Sequence, residues 1–196
     1  MSDAPLAIEA GPRRAAPRTV LIGTVLVSIG IVMAFAVMVA AYAQLRDSAG
    51  GTTDAWVPSG VTFRNAQLVF TLMTLVIGSV ALQWGVTSSR NIDANNTRTA
   101  LALTLAFGAL HVNMMLFSVD AFGVGIGEVW SNLVFTITGA GIALSGVAMA
   151  YVAVALLKAF GGQLGVSNPT IPGAAVFWNV HVGIWFLIFF AIFAVK

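Results

Sequence analysis

The sequence has no cysteine and very few charged side chains. The absence of cysteine excludes disulfide bonds, thiolate metal sites and cysteine nucleophiles. Charged residues make up 8% of the 196 residues and hydrophobic residues 59%, whereas soluble domains carry roughly 25% charged residues. So few charges cannot cover a water-facing surface, and we therefore expect an integral membrane protein. The net charge of +2 also predicts no nucleic-acid partner, because nucleic-acid binding needs clustered Lys and Arg.

Five long apolar stretches lie between the charged residues. A helix needs roughly 20 apolar residues to cross a bilayer, and only helices or closed barrels satisfy their backbone groups within lipid. The sequence therefore predicts an all-α fold, with a bundle of five transmembrane helices over residues 19–196. A flexible cytoplasmic tail is expected over residues 1–18. The predicted spans are residues 19–45, 65–89, 99–119, 129–157 and 173–195.

The distribution of Lys and Arg predicts how the bundle is oriented. If the N-terminus is inside, the inner segments hold six of these residues and the outer segments three. Because Lys and Arg are enriched in cytoplasmic segments, we expect the N-terminus inside and the C-terminus outside. Trp56 and Trp130 are then expected at the outer membrane interface, and Trp84 near the inner one.

Two histidines, His111 in the third span and His181 in the fifth, are the only ionisable side chains deep within the predicted spans. Ionisable groups inside a membrane are functional candidates by default. The lack of buried carboxylates and cations argues against an ion-coupled transporter. The lack of a nucleophile with a base and an orienting group predicts no catalytic site in this chain.

The two histidines could ligate a haem, or each could bond a neighbouring helix. At about 1.5 Å per residue, His111 lies roughly 20 Å beyond Arg98 and His181 roughly 12 Å beyond Gly173. We therefore expect the two to differ in depth by several ångströms, which disfavours a shared haem and favours two separate buried imidazoles. No metal ligand set is predicted.

Small residues in the fourth span predict close helix packing. They follow the spacing that lets two helices approach closely in a membrane. The residues are Gly139, Gly141, Ser145 and Gly146. Ordinary packing within the bundle and contact with a partner chain both remain open.

Several short motifs, together with the helix order, carry a family resemblance. They are Trp56-Val57-Pro58 after the first span, Gln83-Trp84-Gly85-Val86 ending the second, Thr138-Gly139 with Gly146 in the fourth, and the closing run from Val176 through Trp178, Asn179 and His181 to Trp185. From about Thr19 to Lys196 the chain resembles subunit III of haem–copper terminal oxidases, in the short five-helix form found in actinobacteria. It departs from the family where the family has intramembrane acids and histidines, with Asn179 in place of a His and Val182 in place of an Asp.

The resemblance implies an accessory, non-catalytic subunit of a cytochrome c oxidase in the bacterial plasma membrane. It implies no cofactor in this chain, haem and copper in the partner catalytic subunits, and bound phospholipid. The expected partners are catalytic subunit I, other oxidase subunits and membrane lipids. Trp178, Asn179 and His181 join the small residues of the fourth span as candidate lipid or partner contacts.

Three alternatives to this function remain open. The chain could be an independent haem-b protein that uses His111 and His181, which a Soret band of the purified chain would reveal. It could be a subunit III homologue that serves a nitric oxide reductase. It could also be a small transporter, which uptake into proteoliposomes would test.

Overall fold

The computed structural model describes residues 19–61, 63–163 and 168–194, and over these ranges the chain is helical with no strand. Five helices are long and apolar enough to cross a membrane, which confirms the predicted all-α fold of a multi-pass membrane protein. The helices are α1 (Thr19–Ser48), the short α2 (Thr53–Trp56), α3 (Asn65–Arg90), α4 (Ala94–Asp120), α5 (Val129–Phe160) and α6 (Thr170–Ile188), which continues as a π-helical segment over Phe189–Ala194. The tail expected over residues 1–18 lies outside the described residues.

Two helices begin several residues before the predicted spans because polar side chains cap them. The Asp93 carboxylate accepts the backbone N–H of Asn96 at 3.0 Å, so α4 begins at Ala94. The Asn168 side chain accepts the N–H of Thr170 at 2.9 Å, and α6 begins there. Pro172 then lies in the first turn of α6, where its missing N–H removes no helical hydrogen bond.

Helix α6 is the central element of the bundle. It packs against α1, α3 and α5, while α3 and α4 form a tight antiparallel hairpin and α4 also contacts α5. Helix α1 is peripheral, with only 11% of its most apolar stretch buried, against 50% for α6. Most of α1 is therefore available to lipid or to another protein.

Glycines on three helices make room for two tryptophans of α6. A Cβ atom at Gly78 of α3 would lie 2.9 Å from Trp178 Cζ2, and one at Gly108 of α4 would lie 3.0 Å from Trp178 Cη2. A Cβ atom at Gly141 of α5 would lie 2.9 Å from Trp185 Cζ2. Real Cβ atoms do not approach so closely, so these three glycines form notches that admit the indoles.

Trp56 and Trp130, which are expected at the outer membrane interface, are both buried within the protein. Trp130 is 2% exposed and Trp56 is 8% exposed. Trp56 packs edge-to-face on Tyr42, and Trp130 on Phe63, with ring centroids 5.6 and 6.1 Å apart. The segment between α1 and α3 closes over this end of the bundle, so these aromatic rings fill its interior. Trp84 remains 40% exposed.

Candidate functional site: a buried pair of histidines

The structure brings His111 of α4 and His181 of α6 together in the centre of the bundle. Their ring centroids are 6.1 Å apart and the ring planes are nearly perpendicular, at 89°. Both side chains are almost completely buried. The two imidazoles therefore meet, although counting along the predicted spans places them at different depths.

Counting from Gly173 places His181 too close to the start of the last helix, because that helix begins at Thr170. Arg98 donates to the carbonyl of Ala159, and Lys158 donates to the hydroxyl of Thr170. These contacts place Arg98 and Thr170 at nearly the same level of the bundle. From this level His111 is thirteen residues along α4 and His181 eleven along α6, a difference of only about 3 Å.

The His111 imidazole is held by the backbone of α3. Its Nδ1 lies 3.1 Å from the carbonyl oxygen of Thr71. Because a carbonyl oxygen only accepts, Nδ1 carries the proton and donates it. Nε2 then has a lone pair, and it is buried with no hydrogen-bond partner among the described residues.

The His181 imidazole is held by the hydroxyl of Ser145 on α5. His181 Nε2 lies 2.7 Å from Ser145 Oγ, and Ser145 Oγ donates to the carbonyl of Gly141 at 3.0 Å. The direction of the bond between Ser145 and His181 depends on which imidazole nitrogen carries the proton. Trp185 Nε1 lies 3.1 Å from both Ser145 Oγ and His181 Nε2, and its N–H donates to these two atoms. His181 Nδ1 is buried without a hydrogen-bond partner in the described part of the chain.

The packing around the two imidazoles does not suit a haem. Trp185 packs against His111 with ring centroids 4.7 Å apart, and Trp178 packs against His181 at 5.5 Å. Trp185 also contacts the imidazole nitrogen of His181. A macrocycle wider than an indole would have to displace these tryptophans from their glycine notches. The residues present therefore do not fit a haem between the two histidines.

The small residues of α5 divide between two faces of that helix. Gly141 and Ser145 face the interior, where they contact Trp185 and His181. Gly139 and Gly146 are exposed, and a Cβ atom at either would meet nothing within 4 Å. Gly141 and Ser145 therefore pack within the chain, whereas Gly139 and Gly146 lie on the outer surface of the bundle.

The candidate contacts of α6 divide in the same way. Trp178 and His181 are buried, and Trp178 donates to the Leu75 carbonyl at 3.4 Å. Asn179 is exposed although it lies near the middle of the span, and its amide makes no hydrogen bond to the described residues. Gly183, one turn further along, is also exposed and open. Sequence reasoning missed Gly183, although its spacing of four residues from Asn179 places both on one helix face.

The described residues contain no group of three or more His, Asp or Glu side chains that could hold a metal ion. In comparisons with known proteins, no family model matches this chain and no curated protein sequence matches it at a significant level.

Proposed function

We propose that this chain is an accessory, non-catalytic subunit of a haem–copper terminal oxidase in the bacterial plasma membrane, of the subunit III type. In this role it packs against catalytic subunit I, which with its partner subunits carries the haem and copper of the reaction, and it encloses phospholipid. The motifs described above support the family, and the outer surface of the bundle supports the accessory role.

The exposed amide of Asn179 is the main observation that supports this proposal. A polar side chain near the middle of a bilayer is unfavourable unless it finds a hydrogen-bond partner. Within the described residues the chain supplies none, so a neighbouring protein is the natural source. The open backbone at Gly183 beside it lets a partner helix approach closely.

The outer face of α5 gives a second surface of the same kind. Gly139, Ala143, Gly146 and Ala150 recur at the spacing of one helix face, and all four are exposed. Small residues at this spacing allow two helices to pack with their backbones close together. The large exposed apolar side chains of α1, such as Leu26, Met33 and Val37, suit contact with lipid chains.

Purification from native membranes tests the proposal. A tagged chain is extracted in a mild detergent, its partners are identified by mass spectrometry, and a reduced-minus-oxidised spectrum is recorded. We expect a large haem–copper catalytic subunit and its haem signal to co-purify. A chain that purifies alone and without haem contradicts the proposal. A chain that purifies alone with a b-type spectrum, lost on His111→Leu or His181→Leu, identifies a haem protein instead.

Two variants at Asn179 test whether its exposed amide contacts a partner. Asn179→Leu removes the amide from an exposed position, so the isolated chain should fold normally. Interhelical hydrogen bonds in membranes contribute about 0.6–2 kcal/mol, so the affinity for the partner should fall roughly 3–30-fold. Asn179→Gln keeps an amide and should retain more of the partner. Equal recovery of the partner with both variants and the wild type argues against an interface at α6.

A further inference from the structure

The end of the bundle that is predicted to face outward contains two buried indole N–H groups without partners. Trp56 is 8% exposed and Trp130 is 2% exposed, and neither indole nitrogen has a hydrogen-bond partner among the described residues. Both N–H groups approach the hydroxyl of Tyr42, but not in the geometry of a hydrogen bond. An indole N–H can only donate, and buried donors in native proteins nearly always have an acceptor. This cluster therefore lacks an acceptor.

A small recess beside the indoles leaves room for one particle of about the size of a water molecule. The recess has a volume of about 10 Å³, and a cavity of roughly 10–15 Å³ holds one water-sized sphere. Its polar lining consists of Tyr42 and Arg46 of α1 and of Thr53 and Trp56 of α2. Apolar side chains close its other sides, and these are Val57, Phe63, Ile192 and Phe193.

We propose that this recess binds one chloride ion. The proposal goes beyond the accessory role argued above. Chloride only accepts hydrogen bonds, and it is only slightly larger than a water molecule. In the recess it accepts from the hydroxyl and indole donors, and the guanidinium of Arg46 balances its charge.

The lining of the recess favours an anion over a water molecule. The Arg46 guanidinium is close enough to the Tyr42 hydroxyl to act on it electrostatically, so its positive charge is present at the recess. No carboxylate of the described side chains lines the recess. A water molecule would also have to donate its own two protons, and these side chains offer only the hydroxyl oxygens of Tyr42 and Thr53 as acceptors. Phosphate and carboxylate groups are too large for this volume.

A chloride ion at this position would join α1 to the rest of the bundle. Helix α1 is the least buried of the five spans, with 11% of its most apolar stretch buried. Tyr42 and Arg46 belong to α1, whereas Trp56 belongs to α2 and Phe193 to the π-helical segment that follows α6. An ion held between these three elements should therefore stabilise the folded chain.

The chloride dependence of thermal unfolding tests the site. The purified full-length chain is prepared in detergent with sodium gluconate as the only salt, and gluconate is then replaced by chloride at constant ionic strength. We expect the Tm to rise by about 3–6 °C when the chloride concentration reaches about ten times its Kd. The chlorine NMR line of the solution should broaden in the presence of the chain, and added bromide should reverse the broadening by displacing chloride.

Two matched pairs of variants locate the ion. Trp56→Phe keeps an aromatic ring and removes one N–H, and loss of a hydrogen bond to a charged group should weaken chloride binding at least about 10-fold. Trp84→Phe makes the same change at a tryptophan that is 40% exposed and does not line the recess, so chloride binding should stay unchanged. Arg46→Gln should abolish binding, whereas Arg64→Gln, at an arginine that lies over Phe117, should not.

The comparison with and without chloride separates binding from stability, because a variant that is merely less stable keeps the chloride-dependent rise in Tm. If Trp56→Phe or Arg46→Gln fails to fold, the other pair still decides. A Tm that does not depend on chloride at constant ionic strength would mean that water fills the recess, and it would overturn the proposal. Equal chloride binding by the wild type and a folded Trp56→Phe or Arg46→Gln variant would do the same. None of these outcomes depends on whether an oxidase subunit co-purifies.

Discussion

Adding one methyl group to neighbouring glycines of α5 should have opposite effects on stability. Gly141 and Gly139 are two residues apart on the same helix, but they face opposite environments. A Cβ atom at Gly141 would lie 2.9 Å from Trp185 Cζ2 and 3.1 Å from Ile188 Cδ1, whereas one at Gly139 would meet nothing within 4 Å. The two substitutions therefore share their effect on the helix backbone and differ only in packing.

The magnitude follows from two opposing terms. Replacing Gly by Ala within a helix gains about 0.8–1.0 kcal/mol through helix propensity. Forcing an extra carbon into a packed interior costs about 1–3 kcal/mol. We therefore expect Gly139→Ala to stabilise the chain by about 1 kcal/mol, and Gly141→Ala to be less stable than Gly139→Ala by about 1–3 kcal/mol.

Thermal unfolding of the purified chain in one detergent measures this difference. At about 2–4 °C per kcal/mol for a chain of this size, the Tm values of the two variants should differ by roughly 2–12 °C. Gly146→Ala, which is also open, serves as a second control and should behave like Gly139→Ala. Equal Tm values for Gly141→Ala and Gly139→Ala would refute the position of Trp185 against α5.

Three further predictions concern other parts of the chain. Gly146→Leu should raise the Tm of the isolated chain by about 2–4 °C, as Gly146→Ala does, but reduce recovery of the catalytic subunit from membranes, since the added side chain occupies the outer face of α5. The Asn96 backbone and side-chain amides lower the pKa of the Asp93 carboxyl, so its cap stabilises the fold above the unfolded pKa of about 4 and loses this effect as the pH falls through the lower folded pKa. At pH 7 the Tm of Asp93→Ala should therefore lie below that of the wild type. This difference should shrink when the two Tm values are measured below pH 4. Single cysteines at the exposed Ile92 and Ile126 should react with an impermeant maleimide from the inner and outer side respectively, and the reverse pattern would contradict the orientation that Lys and Arg predict.

The positions of the charged residues were enough to locate the five membrane helices, because in this chain the charges lie between the apolar stretches and not within them. Helix starts were harder to place, since they depend on local caps. Asp93 extends α4 into a segment that looks polar, and Asn168 starts α6 before Pro172. Because α6 begins at Thr170, three residues before Gly173, His181 lies deep enough in the bundle to meet His111.

The sequence also does not show which side chains point into the protein and which point outward. Hydrophobic patterning is weak in helices that are apolar all round, so it cannot tell which residues face protein and which face lipid. Gly139 and Gly141 look equivalent in the sequence, yet they lie on opposite faces. Trp56 and Trp130 were expected at the interface because indoles favour it, whereas the aromatic cluster at the end of the bundle buries both.

The three glycine notches imply an order of events during biosynthesis. Gly78, Gly108 and Gly141 lie on helices that leave the ribosome before α6 does. Until α6 enters the membrane, the grooves that receive Trp178 and Trp185 must be filled by lipid chains or by other side chains. Insertion of α6 therefore displaces these lipid chains or side chains. The five spans then pack into one bundle only in a late step, when α6 enters the membrane.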